Sequence, residues 1–263
     1  HIMTNNDFCK KNILQYLGND HPELIFFDSI DSTNNYAKEL IAKNQAVDEM
    51  CICADEQTAG RGRQGRPFFS PPHSGIYFTL IRDVNKMQNP VILKTTIAAC
   101  VAEYETLADV LGVHASIKWV NDLFYNGKKI SGILTEAIDN FIIIGIGINC
   151  STSNFPTDIQ NVAGAIENDS EDEEEDIDRS KIAATLWKKL MYWTNRTSSK
   201  ELVDIYRQHS FLIGKNITFT MGHTEHNGLV ENIDDDGALV VIDKSNGEKM
   251  ILNTGEVHLT SWN

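Results

Sequence analysis

The densest chemistry in the sequence lies in Asp55-Glu56-Gln57-Thr58-Ala59-Gly60-Arg61-Gly62-Arg63-Gln64-Gly65-Arg66. Gly60, Gly62 and Gly65 let the backbone come close to a ligand and turn its N–H groups inward, which makes a concavity for an anion. Arg61, Arg63 and Arg66 add fixed positive charge and planar donors suited to carboxylate or phosphate. The spacing is neither the GxxxxGK[ST] phosphate loop nor a GxGxxG that opens a helix directly after a strand. A mobile basic surface loop, or an arginine–glycine segment for RNA, is the competing reading. The loop alone leaves both open.

A second stretch favours the ligand. In Phe141-Ile142-Ile143-Ile144-Gly145-Ile146-Gly147-Ile148-Asn149, strand alternation puts Ile142, Ile144, Ile146 and Ile148 on one face. The other face carries Phe141, Ile143, Gly145, Gly147 and Asn149, stripped to backbone at the two glycines and ending in a carboxamide. Glycine inside a strand marks a place where another group approaches closely, either a ligand or a packed element. A third stretch, Lys118-Trp119-Val120-Asn121-Asp122, returns through Asn126-Gly127 to Lys128-Lys129 and brings Lys, Asn and Asp near one sheet end. That set suits a polyanion with a bound Mg²⁺. Turn chemistry is the plainer account of Asn121-Asp122. With Lys129 at a strand start, Ser131, Ile133 and Thr135 are expected on its face, and Ile130, Gly132 and Leu134 on the opposite one.

The positioning elements are legible from periodicity. A short helix over Lys10 to Leu17 stops at Gly18, and Leu24 to Phe27 reads as a strand. A helix capped at Ser32-Thr33 buries Tyr36, Ala37, Leu40 and Ile41 and runs to about Lys43. Strands are expected over Cys51 to Ala54 and Ile76 to Ile81. A long helix starts at Asn89-Pro90 and ends at Gly112. Ser116 to Tyr125 and Lys129 to Ala137 form a hairpin across Asn126-Gly127, with Phe141 to Asn149 as the third antiparallel strand. Ser180 is expected to cap a helix through Trp193, and another spans Lys200 to His209. From Ile213 onward, short strands are punctuated by Asn227-Gly228, Asp236-Gly237, Asn246-Gly247 and Gly255, with His223 and His226 as solvated turn residues. The fold class is α+β: a central mixed, largely antiparallel sheet with packed helices, plus a small SH3-like β-barrel. The expected domains are residues 1–212, which include an acidic loop at 168–179, and residues 213–263.

Composition narrows the function classes. The net charge is −14, with Lys+Arg 23 against Asp+Glu 37, which disfavours a general nucleic-acid binder. Much of the excess lies between Asp169 and Asp178, so the remainder is mildly acidic and compatible with a local basic pocket. No apolar run has the length to span a bilayer. Cys9, Cys51, Cys53, Cys100 and Cys150 show no CxxC pairing, which argues against a disulfide framework or structural zinc and for a reducing, cytoplasmic setting.

Taken together, these stretches resemble the biotin protein ligases (biotin–[acetyl-CoA-carboxylase] ligases). The matching segments are Asp31-Ser32-Thr33-Asn34, Gln57 to Arg66, Phe69-Ser70-Pro71, Lys118 to Leu123, Lys129-Ile130-Ser131-Gly132-Ile133-Leu134 and Gly145 to Asn149, in the family's order, with resemblance over roughly residues 26–263. The resemblance implies a two-step reaction. Biotin and MgATP give biotinyl-5′-AMP and pyrophosphate, and a lysine of a biotin carboxyl carrier protein, such as that of acetyl-CoA carboxylase, then takes the biotin. It implies Arg63, Lys129 and Asp122 as catalytic residues. Biotin would be bound by Ser32, Thr33, Asn34, Gln57, Arg61, Gly62, Arg63, Lys129, Gly132 and Gly147. ATP would be bound by Arg63, Arg66, Phe68, Asn121, Lys129 and Asn149, and no residue is assigned directly to the metal.

Two departures stand out: Val120 replaces a usual Pro, and Phe68 replaces a frequent Trp that in relatives can stack on adenine. The thirty residues ahead of Asp31 are too few for the helix-turn-helix domain of the regulatory members, so a monofunctional ligase is expected, without nucleic-acid or membrane partners, as monomer or homodimer. The rivals are an enzyme of the same fold acting on lipoate or octanoate, and a non-catalytic nucleic-acid binder using the arginine loop.

Overall fold

Helix α1 (Lys10–Leu17) ends at Gly18, whose φ of 74° is where glycine is at ease, and leads to strand β1 (Leu24–Phe27). Helix α2 (Thr33–Ala42) follows, then β2 (Cys51–Ala54), β3 (Gly75–Asp83) and the long α3 (Ile92–Leu111), closed by Gly112 in the left-handed region. Strands β4 (Ser116–Lys118), β5 (Asp122–Tyr125), β6 (Lys128–Ile138) and β7 (Phe141–Asn149) come next, then α4 (Arg179–Thr194) and α5 (Lys200–His209). The chain finishes with β8 (Asn216–Met221), β9 (Thr224–Ile233), β10 (Leu239–Asp243), β11 (Lys249–Leu252) and β12 (Val257–Trp262). This computed structural model describes residues 8–88, 91–151, 155–160, 162–167, 177–253 and 257–262. Asn89-Pro90 and most of the acidic stretch lie outside the described residues.

The first seven strands form one sheet in the order β1-β2-β3-β7-β6-β5-β4, parallel only between β1 and β2. The isoleucine face of β7 behaves as the alternation predicts: Ile142, Ile144, Ile146 and Ile148 are buried in the main core with α3, α4 and α5. On the opposite face Ala37, Leu40 and Ile41 of α2 cover Ile52, Ile81 and Ile143. Beyond Ile143 this face runs to Gly145, Gly147 and Gly132, which are met by Asn34 at the start of α2, by Phe68 and by Lys129, and which border the site. The second sheet is antiparallel, in the order β11-β10-β9-β8-β12, with register shifts at Val240/Val241 and Leu259/Ser261.

Several sequence expectations change. Ser116 to Tyr125 is not one strand but two, β4 and β5, which pair antiparallel with Lys118 opposite Asp122. The reversal at residues 119–121 contains a cis Trp119–Val120 peptide. Tertiary contacts hold it: Trp119 Nε1 donates to Gly237 O at 3.0 Å, and Tyr206 Oη donates to Val120 O at 2.8 Å. No local turn signal announces such contacts. Asp178, rather than Ser180, caps α4 by accepting from Lys181 N at 3.1 Å. Asn227-Gly228 lies within β9, where a Cβ on Gly228 would collide with Val241. The β8–β9 reversal falls instead at Gly222-His223, and His226 is a strand residue stacked on Phe219 at 5.3 Å. Asn126-Gly127, with φ of 52° and 77°, makes the expected tight turn. All five cysteines are free.

Candidate active site

The arginine–glycine loop is folded back on itself as an irregular hairpin. Gln57 N donates to Ser70 O at 3.1 Å, Phe68 N to Gly60 O at 2.8 Å, and Gly62 N to Arg66 O at 2.7 Å. At its tip Gln64 and Gly65 take φ of 58° and 71°. A side chain on Gly60 would strike Phe68 O and Ser70 Oγ, so this glycine permits the two arms to close.

The loop forms one wall of a cavity whose floor is β5, β6 and β7 and whose far wall is the start of α2. Ser32, Thr33, Asn34, Gln57, Arg61, Gly62, Arg63, Arg66, Phe68, Asn121, Asp122, Lys129, Gly132 and Gly147 all line it. Of the residues to which the resemblance gave a ligand, only Asn149 is not in this wall, and Gly60 and Gly65 of the loop lie outside it as well. Its Nδ2 donates to Gly164 O at 3.0 Å, and Gly164 N in turn donates to Lys129 O at 2.8 Å. Asn149 therefore braces the segment that holds the Lys129 backbone.

One end of the cavity is neutral and hydrogen-bonded. Gln57 Oε1 accepts from Thr33 N at 2.9 Å and Thr33 Oγ1 at 3.1 Å, while Gln57 Nε2 donates to Ser70 Oγ at 3.0 Å. Thr79 Oγ1 donates to Asn34 Oδ1 at 2.6 Å, and Asn34 Nδ2 donates to Glu136 Oε2 at 3.1 Å. Ser32 Oγ caps α2 by accepting from Asn35 N at 3.2 Å. These contacts fix the carboxamides and hydroxyls in one orientation, as recognition of a neutral polar group requires.

The other end is cationic. Among the described residues that line it, Arg61, Arg63, Arg66, Lys118 and Lys129 share one carboxylate, Asp122, which lies 3.1 Å from Lys129 Nζ. Burial lowers the Arg63 pKa; Asp122 offsets this and Arg66 adds to it. Arg61 donates to the Asn35 side-chain oxygen. An excess of donors over carboxylates within one cavity is an anion site.

Alternation places Lys129 and Gly132 on opposite faces, yet both reach this cavity. Leu123 pairs with Ser131 and Phe124 with Lys129, so Ile130 is an extra residue in β6. A bulge of this kind re-aims one side chain, and here it turns Lys129 onto the glycine face, where its Cε and Nζ pack over Gly132. The glycines are approached by the chain's own groups: the Asn34 amide would collide with a Cβ at Gly145, and the Phe68 ring with one at Gly147. Gly145, on the glycine-stripped face, lines the cavity as expected, and Lys118, which the sequence left without a ligand role, lines it too. Leu259, from β12, also contributes and has no local signal at all.

Among the described residues no cluster of three or more His, Cys, Asp or Glu side chains stands ready for a metal. Asp122 on a cationic wall does fit Mg²⁺ as it is held on nucleotides, through one or two carboxylates with phosphate oxygens supplying the rest.

A sheet-floored cavity with one neutral hydrogen-bonding end and one cationic end is complementary to a ligand that joins a neutral polar head to an anion. Residues 26–152 match the Biotin/lipoate A/B protein ligase family, and residues 212–259 match the Biotin protein ligase C terminal domain. The chain is 32% identical over 232 residues to the Bifunctional ligase/repressor BirA of Bacillus subtilis, covering 83% of this chain and 69% of that protein. It is 26% identical over 248 residues to the Biotin–[acetyl-CoA-carboxylase] ligase of Mycobacterium tuberculosis, covering 88% and 87%. The biotin protein ligase of Aquifex aeolicus, solved with biotin and ATP, superposes with a TM-score of 0.78 at 24% identity over 90% of this chain and 98% of that one. The chain belongs to the biotin protein ligase family.

Proposed function

We propose that biotin and ATP meet in this cavity, with biotin's neutral ring at the Ser32-Thr33-Asn34-Gln57 end and its carboxylate at the arginines. The chain is an ATP-dependent biotin protein ligase that forms biotinyl-5′-AMP and passes biotin to a carboxylase carrier protein. The observation that carries the site reading is the union, in one cavity, of a fixed neutral hydrogen-bonding end and a cationic end over a floor of glycines.

In the first step two anions must approach. Arg61, Arg63 and Lys129 hold the carboxylate against the α-phosphate, each charge-assisted hydrogen bond contributing about 1.5–3 kcal/mol. A carboxylate oxygen attacks the α-phosphorus, the bond to the β-phosphate oxygen breaks, and its electron pair leaves with pyrophosphate. Arg66, Phe68 and Asn121 are the nucleotide's residues, Phe68 offering a ring face to adenine. Asn149 serves the same end through Gly164 and Lys129. Asp122 would hold Mg²⁺, which when bound would supply charge neutralisation on the phosphates. In the second step the acceptor lysine's amine attacks the acyl carbon and AMP leaves. Asp122 then orients that amine or takes its proton.

We assign residues 1–212 to catalysis and residues 213–263 to a small second domain that lends Leu259 to the cavity. The carrier of acetyl-CoA carboxylase is the proposed acceptor, supported by the name of the mycobacterial relative. Free cysteines throughout support the cytoplasm as the setting. No helix among the described residues is long and apolar enough to cross a membrane. The test is ATP–pyrophosphate exchange with biotin and with lipoate, each supplied alone. Biotin-dependent exchange is expected; exchange with lipoate and none with biotin overturns the assignment.

A further inference from the structure

Lys118 differs from the other cations of the cavity. Its neighbour Lys129 has the Asp122 carboxylate at 3.1 Å, and Arg61 has the Asn35 carboxamide. The Lys118 ammonium has neither hydrogen bond nor ion pair among the described residues; its Nζ rests 3.9 Å from the centre of the Trp262 ring, on β12. Burial lowers the Lys118 pKa, and Lys129, Arg63 and Arg66 add to that, with Asp122 the one opposing charge. An ammonium desolvated among three other cations, with only an aromatic face for a partner, is a cation short of an anion.

Its place tells which anion. Lys118 pairs with Asp122 across β4 and β5, and Asp122 with Gly132 across β5 and β6, so the three stand in one row. Strands spaced by about 4.8 Å put the Lys118 backbone roughly 10 Å from Gly132, over which Lys129 packs. If Lys129 and Arg63 flank the α-phosphate, as the proposed function has it, Lys118 lies further along the same row, on the side closed by Trp262 and Leu259. We propose that Lys118 binds the β- and γ-phosphates of ATP, the future pyrophosphate, and that Trp262 holds the ammonium in place while the site is empty. Negative charge grows on that leaving group as the α-phosphorus–oxygen bond breaks, so the contact strengthens in the adenylation step. Pyrophosphate takes no part in the second step, which therefore does not use it.

The two half-reactions separate this role from a structural one. With the full chain, Lys118→Ala should raise the KM for ATP and the inhibition constant of inorganic pyrophosphate by roughly ten- to a hundredfold, the loss of one charge-assisted hydrogen bond. Transfer from supplied biotinyl-adenylate to the carrier should stay within about threefold of wild type, and Lys118→Arg should restore most of the pyrophosphate affinity. Equal losses in both half-reactions, or unchanged pyrophosphate inhibition in Lys118→Ala, overturn the assignment. Wild-type chain without biotin-dependent exchange would sink the reaction itself, and the subsite with it.

Discussion

Glu103 sits on α3, in the layer behind the cavity floor, and is fully buried. Ser131 of β6 donates to its Oε1 at 2.6 Å, while Oε2 has no partner among the described residues. Burial pushes its carboxyl from an ordinary 4.5 up to about 8, with the Ser131 hydrogen bond opposing the rise and the Asp122 charge adding to it. A carboxyl whose pKa is higher folded than unfolded keeps its proton longer in the folded state. Its contribution to stability is therefore intact below about pH 4.5, declines as pH rises toward about 8, and is gone above that. The gap corresponds to about 5 kcal/mol, at about 1.36 kcal/mol per pH unit.

Glu103→Gln cannot ionise and keeps an acceptor for Ser131, but buries an amide whose N–H groups lack acceptors, at about 1–3 kcal/mol independent of pH. The variant should be less stable than wild type by that amount near pH 4.5, and more stable by about 2–4 kcal/mol near pH 9. The two stability curves should cross at about pH 5–7. Urea unfolding across pH 4.5–9, with m held common, measures the difference. A difference that does not change with pH would refute the claim that Glu103 is neutral in the folded protein.

Arg63→Ala and Lys129→Ala should each slow biotin-dependent pyrophosphate exchange by about ten- to a hundredfold, with melting temperatures within a few degrees of wild type. Wild-type exchange in either variant removes that residue from the mechanism. Gly147→Ala drives a methyl into the Phe68 ring and should cost about 1–3 kcal/mol or displace the ring, raising the KM for ATP; unchanged unfolding and unchanged KM together contradict this. Asn149→Ala leaves Gly164 O without its donor, at a cost of about 1–3 kcal/mol. Faster amide exchange at Gly164, whose N–H is bound to Lys129 O, is the expected readout, and unchanged protection there argues against the brace.

The sequence by itself determined the elements whose signals are local. Periodicity in α2 and α3, Gly18 and Gly112 at helix ends, Asn126-Gly127 at the hairpin and the isoleucine alternation of β7 each depend on neighbours within a few residues, and each stands in the structure as read. The same holds for the glycine-stripped face of β7. Its meaning was decided only in three dimensions, because Asn34 and Phe68, distant in sequence, are what approach it. The break between β4 and β5 depends on Trp119 reaching Gly237 and on Tyr206 reaching Val120, contacts with no trace in residues 116–125. Lys129 was legible as a site residue but on the wrong face, since a bulge beside Ile130 is a property of pairing between two strands. Leu259 became a site residue only through the placement of β12, which also sets the Trp262 ring against Lys118. Residue type and spacing thus chose the chemistry, and long-range packing chose which of those groups face one another.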